Sequence, residues 1–352
     1  MSLSNEGRQQ YLSYLDQQGK LNGVRREGDS IQLTVTPAVQ QRLEKAKMEA
    51  SPFLKEINSI GVTEQEGEKI GVGINRTIAS RNTSTTERRE PVSVHDLKAN
   101  RYRCEQINFD TFVGYTQIDA WNDHPQFQQL ISQQIVQQEA NDRLMIGFNG
   151  TSCALKSDRA KNPLLQDVNI GWLQHMRDNA PQRVMKGITI TRRDEDGKII
   201  KKGDYGNYDA AVYDAVTSLL DPWHQNAPGL LAITGSRLTT QKNFKILNQH
   251  SQNSPNMELL AGNELMKLST LGGLPTMRVP FFPDGTIWIT TFKNLSLYWQ
   301  KGKYNRYIKN EPEYNRIATY AQSNDGYVIE DYGLSCLIEG ISLASAESGG
   351  EE

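Results

Sequence analysis

The chain has little of what would tie it to a membrane, a metal or an oxidising compartment. Its three cysteines, Cys104, Cys153 and Cys336, stand far apart with no C-x-x-C pair. That odd, scattered set excludes a disulfide framework and reads as reduced thiols used as small apolar fillers. No apolar run approaches the roughly 18 residues needed to span a bilayer. The N-terminus has neither a charged stretch nor an apolar core, so no secretory signal is expected. An excess of one charge is missing as well: 23% of the residues are charged, yet the formal net charge is -2. Such a balance argues against coating nucleic acid or an anionic membrane as the main task. It suits a protein that meets copies of itself without large repulsion.

Catalytic signatures are also missing. Gly71 and Gly73 supply two glycines of a dinucleotide fingerprint, but a hairpin strand explains them better because no helical pattern follows. Gly235-Ser236 lacks the flanks of a nucleophile elbow and reads as a helix cap. His95, His124, His175, His224 and His250 never fall at metal-ligand spacing. Asp194, Glu195 and Asp196 form a solvated turn. Glu330 and Asp331 read as neighbours in a strand, where their carboxylates would point to opposite faces. No catalytic, cofactor or metal residue is assigned.

What is present is a long helical stretch from Asp123 to Gly150. Asp123 can cap it, Pro125 fits the first turn, and Asn149-Gly150 is a natural stop. Phe127, Leu130, Ile131, Ile135, Leu144, Met145 and Phe148 form a narrow stripe along a rod of roughly 36 Å. Gln128, Gln129, Gln133, Gln134, Gln137, Gln138 and Asn141 coat the rest with amides. Two readings stay open: a surface helix lying on a sheet, or a spine that also meets neighbouring copies.

With 352 residues, two or three cores are expected. The first fifty or so residues look like an arm. It holds a helix from Glu6 to Gly19 with Tyr11, Leu12 and Leu15 on one face. A brief strand at Ile31 to Val35 follows, then a helix from Pro37 to Ala50 with Val39, Leu43 and Ala46 on one side. Ile57 to Val62 and Ile70 to Ile74 are expected strands around a turn at Glu66-Gly67-Glu68. Asn75 to Pro91 is a polar stretch too long for an ordinary connection. Alternation resumes from Tyr102 to Tyr115, so a long hairpin is expected, either a surface loop or an extension ordered by another subunit. Further on, helices are expected near Trp172, over Tyr208 to Leu220 and from Leu238 to Asn248. Strands are expected at Leu230 to Thr234, Thr276 to Val279, Thr286 to Phe292, Leu295 to Trp299 and Tyr327 to Leu337. The stretch Tyr298 to Lys309 interleaves aromatics with cations. It admits a weak, sequence-blind nucleic-acid contact or an exposed strand pair.

Several runs resemble the major capsid proteins of P2-like tailed phages. They are Ile107 to Asp110, Ala140 to Gly150, Asn162 to Val168, Gly171 to Gln174, Gly203 to Tyr205, Leu274 to Pro283, Asn294 to Tyr298 and Tyr327 to Tyr332. They follow in order from about Tyr11 to Ile341. The resemblance implies an α+β, HK97-like fold with an arm (1–52), a P-domain (53–57 and 116–199) and an extended E-loop (58–115). It further implies an A-domain (200–285) and return strands to the P-domain (286–341); the tail (342–352) is expected to be disordered from its small and polar composition. It implies a structural function: pentamers and hexamers of the chain closing an icosahedral shell around double-stranded DNA. The implied partners are an internal scaffold that is also a protease, a portal and the packaged DNA, contacted without sequence preference. Assembly would take place in the bacterial cytoplasm. The segment Leu33 to Pro37 is similar to the family's processing junction, with Leu33/Thr34 as the candidate bond. Some shells of this fold weld subunits through an E-loop lysine, but Asn75 to Glu90 contains none, so no weld is expected. Arg76, Arg81, Arg88 and Arg89 suggest charge pairing between subunits. Each exposed pair is worth only about 0–1 kcal/mol, so repetition by symmetry would have to carry the effect. The alternatives are an encapsulin-like compartment of the same fold, or a soluble enzyme with a pocket near Asp204, Tyr205 and Tyr208.

Overall fold

The computed structural model describes residues 3–69, 79–83, 86, 88, 91, 100–120, 127–194, 198–235, 237–238 and 270–344. The expected strand at Ile70 to Ile74, the cap at Asp123 with Pro125, and most of the helix from Leu238 lie outside that set. Ser4 accepts the Gly7 N–H and starts α1 (Asn5–Asn22), which Gly23 ends in the left-handed region at φ 69°. Tyr11 and Leu15 of its expected stripe are buried. β1 (Ser30–Thr34), α2 (Pro37–Glu49) and α3 (Pro52–Glu56) follow. In α2 the buried face differs from the expected one. Val39 and Leu43 are half-buried and Ala46 is exposed, whereas Gln40, Glu44, Lys47 and Met48 are covered.

β2 (Asn58–Val62) leads to β3 (Glu66–Lys69), which pairs antiparallel with β4 (Asn100–Arg103). Glu66, Gly67 and Glu68 are therefore strand and not turn; the chain bends before them, at 63–65. Gly67 faces Tyr102, whose ring lies 2.6 Å from where a Cβ would sit, so the glycine admits a cross-strand ring. β5 (Glu105–Asn108), β6 (Thr111–Gly114) and α4 (Tyr115–Ala120) lead to the spine, α5 (Phe127–Asn149). Its end at Asn149 matches the sequence.

After α6 (Trp172–Asn179) come β7 (Val184–Lys186), β8 (Thr189–Ile190) and an antiparallel pair, β9 (Arg192–Arg193) with β10 (Ile199–Lys201). Next are α7 (Tyr208–Leu219), β11 (Leu231–Thr234), β12 (Thr270–Leu271), β13 (Leu274–Arg278) and β14 (Ile287–Thr290). β15 (Leu295–Gln300), β16 (Asn305–Glu311), β17 (Arg316–Ile329), β18 (Cys336–Glu339) and β19 (Ser342–Leu343) complete the chain.

Among the described residues two large sheets form. The first has seven strands, ordered β1-β16-β17-β15-β2, with β5 and β6 also pairing β17. The second has six, ordered β12-β13-β11-β14-β18-β7, and packs on α7. β14 and β18 thus belong to the lobe of α7, and the chain crosses between the two large sheets three times, from β6 to β7, from β14 to β15 and from β17 to β18. The single strand expected over Tyr327 to Leu337 is broken at the last of these crossings. Asp331 accepts the Gly333 N–H at 2.7 Å, and Asn294 bonds both the N–H and the carbonyl of Asp331 at 2.6 and 2.8 Å. Glu330 and Asp331 accordingly lie outside any strand. Ser342 and Leu343, expected in the tail, instead pair parallel with Thr189 and Ile190; residues 345–352 of that tail lie outside the described set.

The spine and the large sheet share a core around Trp172. Its ring lies edge-on to Tyr327 at 5.0 Å and meets Phe148 at 5.6 Å, and its indole N–H donates to the Ser296 carbonyl at 3.1 Å. Gly147 makes room for it: a Cβ there would sit 2.4 Å from the ring. Gly147→Ala is expected to cost about 1–3 kcal/mol through overpacking, read as a lower urea midpoint with an unchanged slope.

Candidate functional site

The spine helix, the arm helix and the central strand meet in one buried knot of charge. Glu139 and Arg143 are one helical turn apart on α5 and so share a face. Glu44 and Lys47 share a face of α2 for the same reason. Asp325 comes from β17. The Arg143 guanidinium, with no exposed surface, donates to Glu44 Oε2 at 2.5 Å and to Asp325 Oδ2 at 2.9 Å. Lys47 Nζ lies 3.3 Å from Glu44 and 2.7 Å from Glu139, and 4.5 Å from the centre of the Tyr304 ring. Gln40 extends the joint by donating to the Gln300 carbonyl at 2.9 Å and accepting the Gly302 N–H at 2.8 Å. α2 is therefore fastened to the body by polar groups in addition to the apolar packing of Met48, Val39 and Leu43.

Two cations face three carboxylates here, and the environments of the carboxylates differ. Burial opposes the charge on Glu44, but Arg143 and Lys47 outweigh it and pull its carboxyl down to about 2. Burial pushes the Asp325 carboxyl up against the pull of Arg143. Lys47 is desolvated too, yet Glu44 and Glu139 hold its pKa above the ordinary lysine value. Nothing in the sequence distinguishes these pairs from solvated ones. Spacings of three and four between opposite charges are the normal pattern of an exposed helix face.

The sequence-derived candidates are dispersed. Leu33 is buried and Thr34 exposed within β1, paired with Arg306 and Asn305 of β16. Arg81 and Arg88 are exposed; Arg76 and Arg89 lie outside the described residues. The aromatic–cation stretch does not form one face, because Tyr298, Trp299 and Tyr304 are buried and only Tyr307 is exposed. Asp204 accepts from the Thr189 N–H and hydroxyl at 2.8 and 2.7 Å, and the Tyr205 hydroxyl donates to Asp214 at 2.5 Å. Tyr205 and Asp204 are thus occupied in holding strands and helix together. Among the described residues no cluster of His, Cys, Asp or Glu could hold a metal ion, and no helix is long and apolar enough to cross a membrane.

The loop is anchored at its base by Lys69. This buried ammonium donates to the carbonyls of Ile329, at 2.6 Å, and Glu330, and lies 3.2 Å from the Glu330 carboxylate. Burial draws its pKa below the usual lysine value. The neighbouring Asp331 pairs with His224 of the lobe at 3.0 Å. Loop, crossing and lobe are thereby joined through two adjacent carboxylates.

Comparison with known proteins gives one consistent family. The model described as phage major capsid protein, P2 family, matches residues 10–341. The major capsid protein of Serratia phage KSP20 is 47% identical over 99% of this chain and all of its own length. The capsid proteins of Escherichia phage P2 are 39% identical over 97% of this chain and 96% of theirs. A chain from a satellite phage P4 procapsid that includes the size determination protein superposes with a TM-score of 0.75. It is 36% identical and covers 95% of this chain and 98% of that one.

Removing the central cation of the knot strands two buried carboxylates. Arg143→Met is expected to cost about 3–5 kcal/mol in urea unfolding at neutral pH. The stabilisation from Glu44 is complete above its unfolded value of about 4.3 and drains away as pH falls toward about 2. The raised carboxyl of Asp325 acts in the opposite sense, favouring the folded state as it takes up a proton. Glu44→Gln should accordingly flatten the acid limb of the stability–pH curve measured by chemical denaturation.

Proposed function

Because the chain belongs to the P2 family of phage major capsid proteins, we infer that it forms the pentamers and hexamers of an icosahedral head around double-stranded DNA. The protein is a structural component of the virion with an α+β, HK97-like fold, and it is not an enzyme. Self-assembly into oligomeric shells accompanies that role. Neither the encapsulin-like reading nor the enzyme reading is favoured by the relatives. The observation carrying the inference is the correspondence over almost the whole chain, arm to final strands, at 36–47% identity.

The finer partners are an internal scaffold with protease activity, a portal, and packaged DNA touched without sequence preference, with assembly in the host cytoplasm. The arm is 1–52, the P-domain 53–57 and 116–199, the E-loop 58–115, the A-domain 200–285 and the return strands 286–341. Arg81 and Arg88, both exposed, support contact between subunits, a role also proposed for Arg76 and Arg89. Maturation would cut at Leu33/Thr34. A protease needs an extended, accessible segment, so β1 must first leave β16, a separation of five paired residues. α2 would then stay behind, held by the charge knot.

Negative-stain microscopy of the expressed chain, alone and with a candidate scaffold, should show capsomers or shells; monomers under every condition would overturn the reading. Intact-mass measurement of purified heads should show a chain beginning at Thr34, and a full-length mass would remove the cleavage. Boiling denaturant should release monomers only, whereas heavier ladders would contradict the absence of an E-loop weld.

A further inference from the structure

Over β1, β16, β6 and the first half of β17 the large sheet has one covered face and one bare face; farther along, the second face is covered where Tyr298 and Val328 pack with Tyr102 and Cys104. Ile31, Leu33, Ile308 and Ile317 turn toward α1, where they pack with Tyr11 and Leu15. Alternate residues must point the other way. On that side Phe112 of β6 is 63% exposed, Tyr314 at the β16–β17 turn 65%, Tyr307 of β16 36% and Tyr320 of β17 38%.

These aromatics form one connected group. The Arg316 guanidinium lies 5.0 Å from the Phe112 ring centre and 4.7 Å from that of Tyr314. Arg316 Nε donates to Glu311 at 2.8 Å, and the Tyr320 hydroxyl donates to the other oxygen of the same carboxylate at 2.7 Å. Tyr320 in turn stacks on Tyr307 with centroids 6.3 Å apart and planes 22° apart. The rings are held in place by a cation and a carboxylate, so little rotamer freedom remains to be lost on contact. Tyrosine and arginine, pre-ordered in this way, are the residue types that dominate protein–protein contacts.

Size and charge narrow the occupant. At roughly 200 Å² per aromatic side chain, the exposed fractions leave on the order of 400 Å² of ring surface open. That matches the largest apolar patch of a typical monomer, which is often functional. It is about half of the roughly 800 Å² that one partner contributes to a stable pairwise interface. A contact of this size does not hold a dimer alone, but it serves where each molecule touches several copies at once. The Arg316 charge is already matched by Glu311, so the patch offers little attraction for phosphate or for an acidic partner. A chain of net charge -2 carries no large repulsion against its own copies.

Resting on the shell-forming reading above, we propose that the group Phe112, Tyr314, Arg316, Tyr320 and Tyr307 is a subunit–subunit contact whose occupant is a second copy of this chain. The test compares the full chain with Tyr314→Glu and with the double variant Phe112→Ser/Tyr314→Ser under one assembly protocol, scored by sedimentation and microscopy. Both variants should keep the circular dichroism and melting temperature of the parent while shell yield falls at least tenfold. Variant chains that fold and assemble as the parent does would overturn the contact and leave the capsid reading standing. A parent that never assembles would overturn both. A photo-reactive benzoyl-phenylalanine in place of Tyr314 identifies the occupant independently of the variants' folding. Cross-linked pairs of this chain in assembled material support the proposal. Cross-links only to another protein or to DNA, or none at all, would overturn it.

Discussion

The Arg143 guanidinium is the point through which the body, the spine and the arm are tied together. It sits where α5, α2 and β17 converge, and its partners Glu44 and Asp325 come from segments separated by most of the chain. Taking charges out of water costs several kcal/mol per ion, so such a knot adds less net stability than its short distances suggest. Its value lies in discrimination. An apolar α2 face could slide along the spine, whereas Glu44 and Lys47 have partners in only one register. The arm is thus fixed by chemistry that tolerates no near-miss.

This explains why the arm divides into two parts of different character. α1 and β1 are attached by apolar packing and by an edge-strand ladder, both of which can be peeled away progressively. α2 adds to its apolar packing the buried ions and the Gln40 amide, whose separation would strand unpaired charge. The proposed junction at Leu33/Thr34 falls at the boundary between the two. The loop follows a similar rule: its base is held by buried Lys69, and the exposed arginines lie beyond it.

Much of the fold was legible in the residues. Periodicity located α1, α2, α6, α7 and the end of α5, because one-sided burial leaves a pattern of three and four in the apolar positions. The errors have physical causes. Glu66-Gly67-Glu68 has turn composition, but Gly67 is there to admit the Tyr102 ring. The break after Ile329 is made by Asn294 hydrogen bonds from a distant segment, which local composition does not reveal. The first half of β17 is poorly marked in the residues: Ile317 and Ala321 alternate with Arg316, Tyr320 and Gln322, but Ala318 is apolar on the polar side and Thr319 and Ser323 are polar on the apolar side.

The sequence by itself determined the class of the molecule. It specified a near-neutral, thiol-poor chain without catalytic groupings, a long amide-coated spine, a polar loop, and ordered runs shared with one capsid family. Only the tertiary structure decided which charges are buried and which rings are bare. A Glu or Lys on a helix, and a Tyr or Phe on a strand, carry the same local pattern whether they face water or protein. Their fate depends on segments hundreds of residues away, as Asp325 is for Glu44 and β16 is for β1.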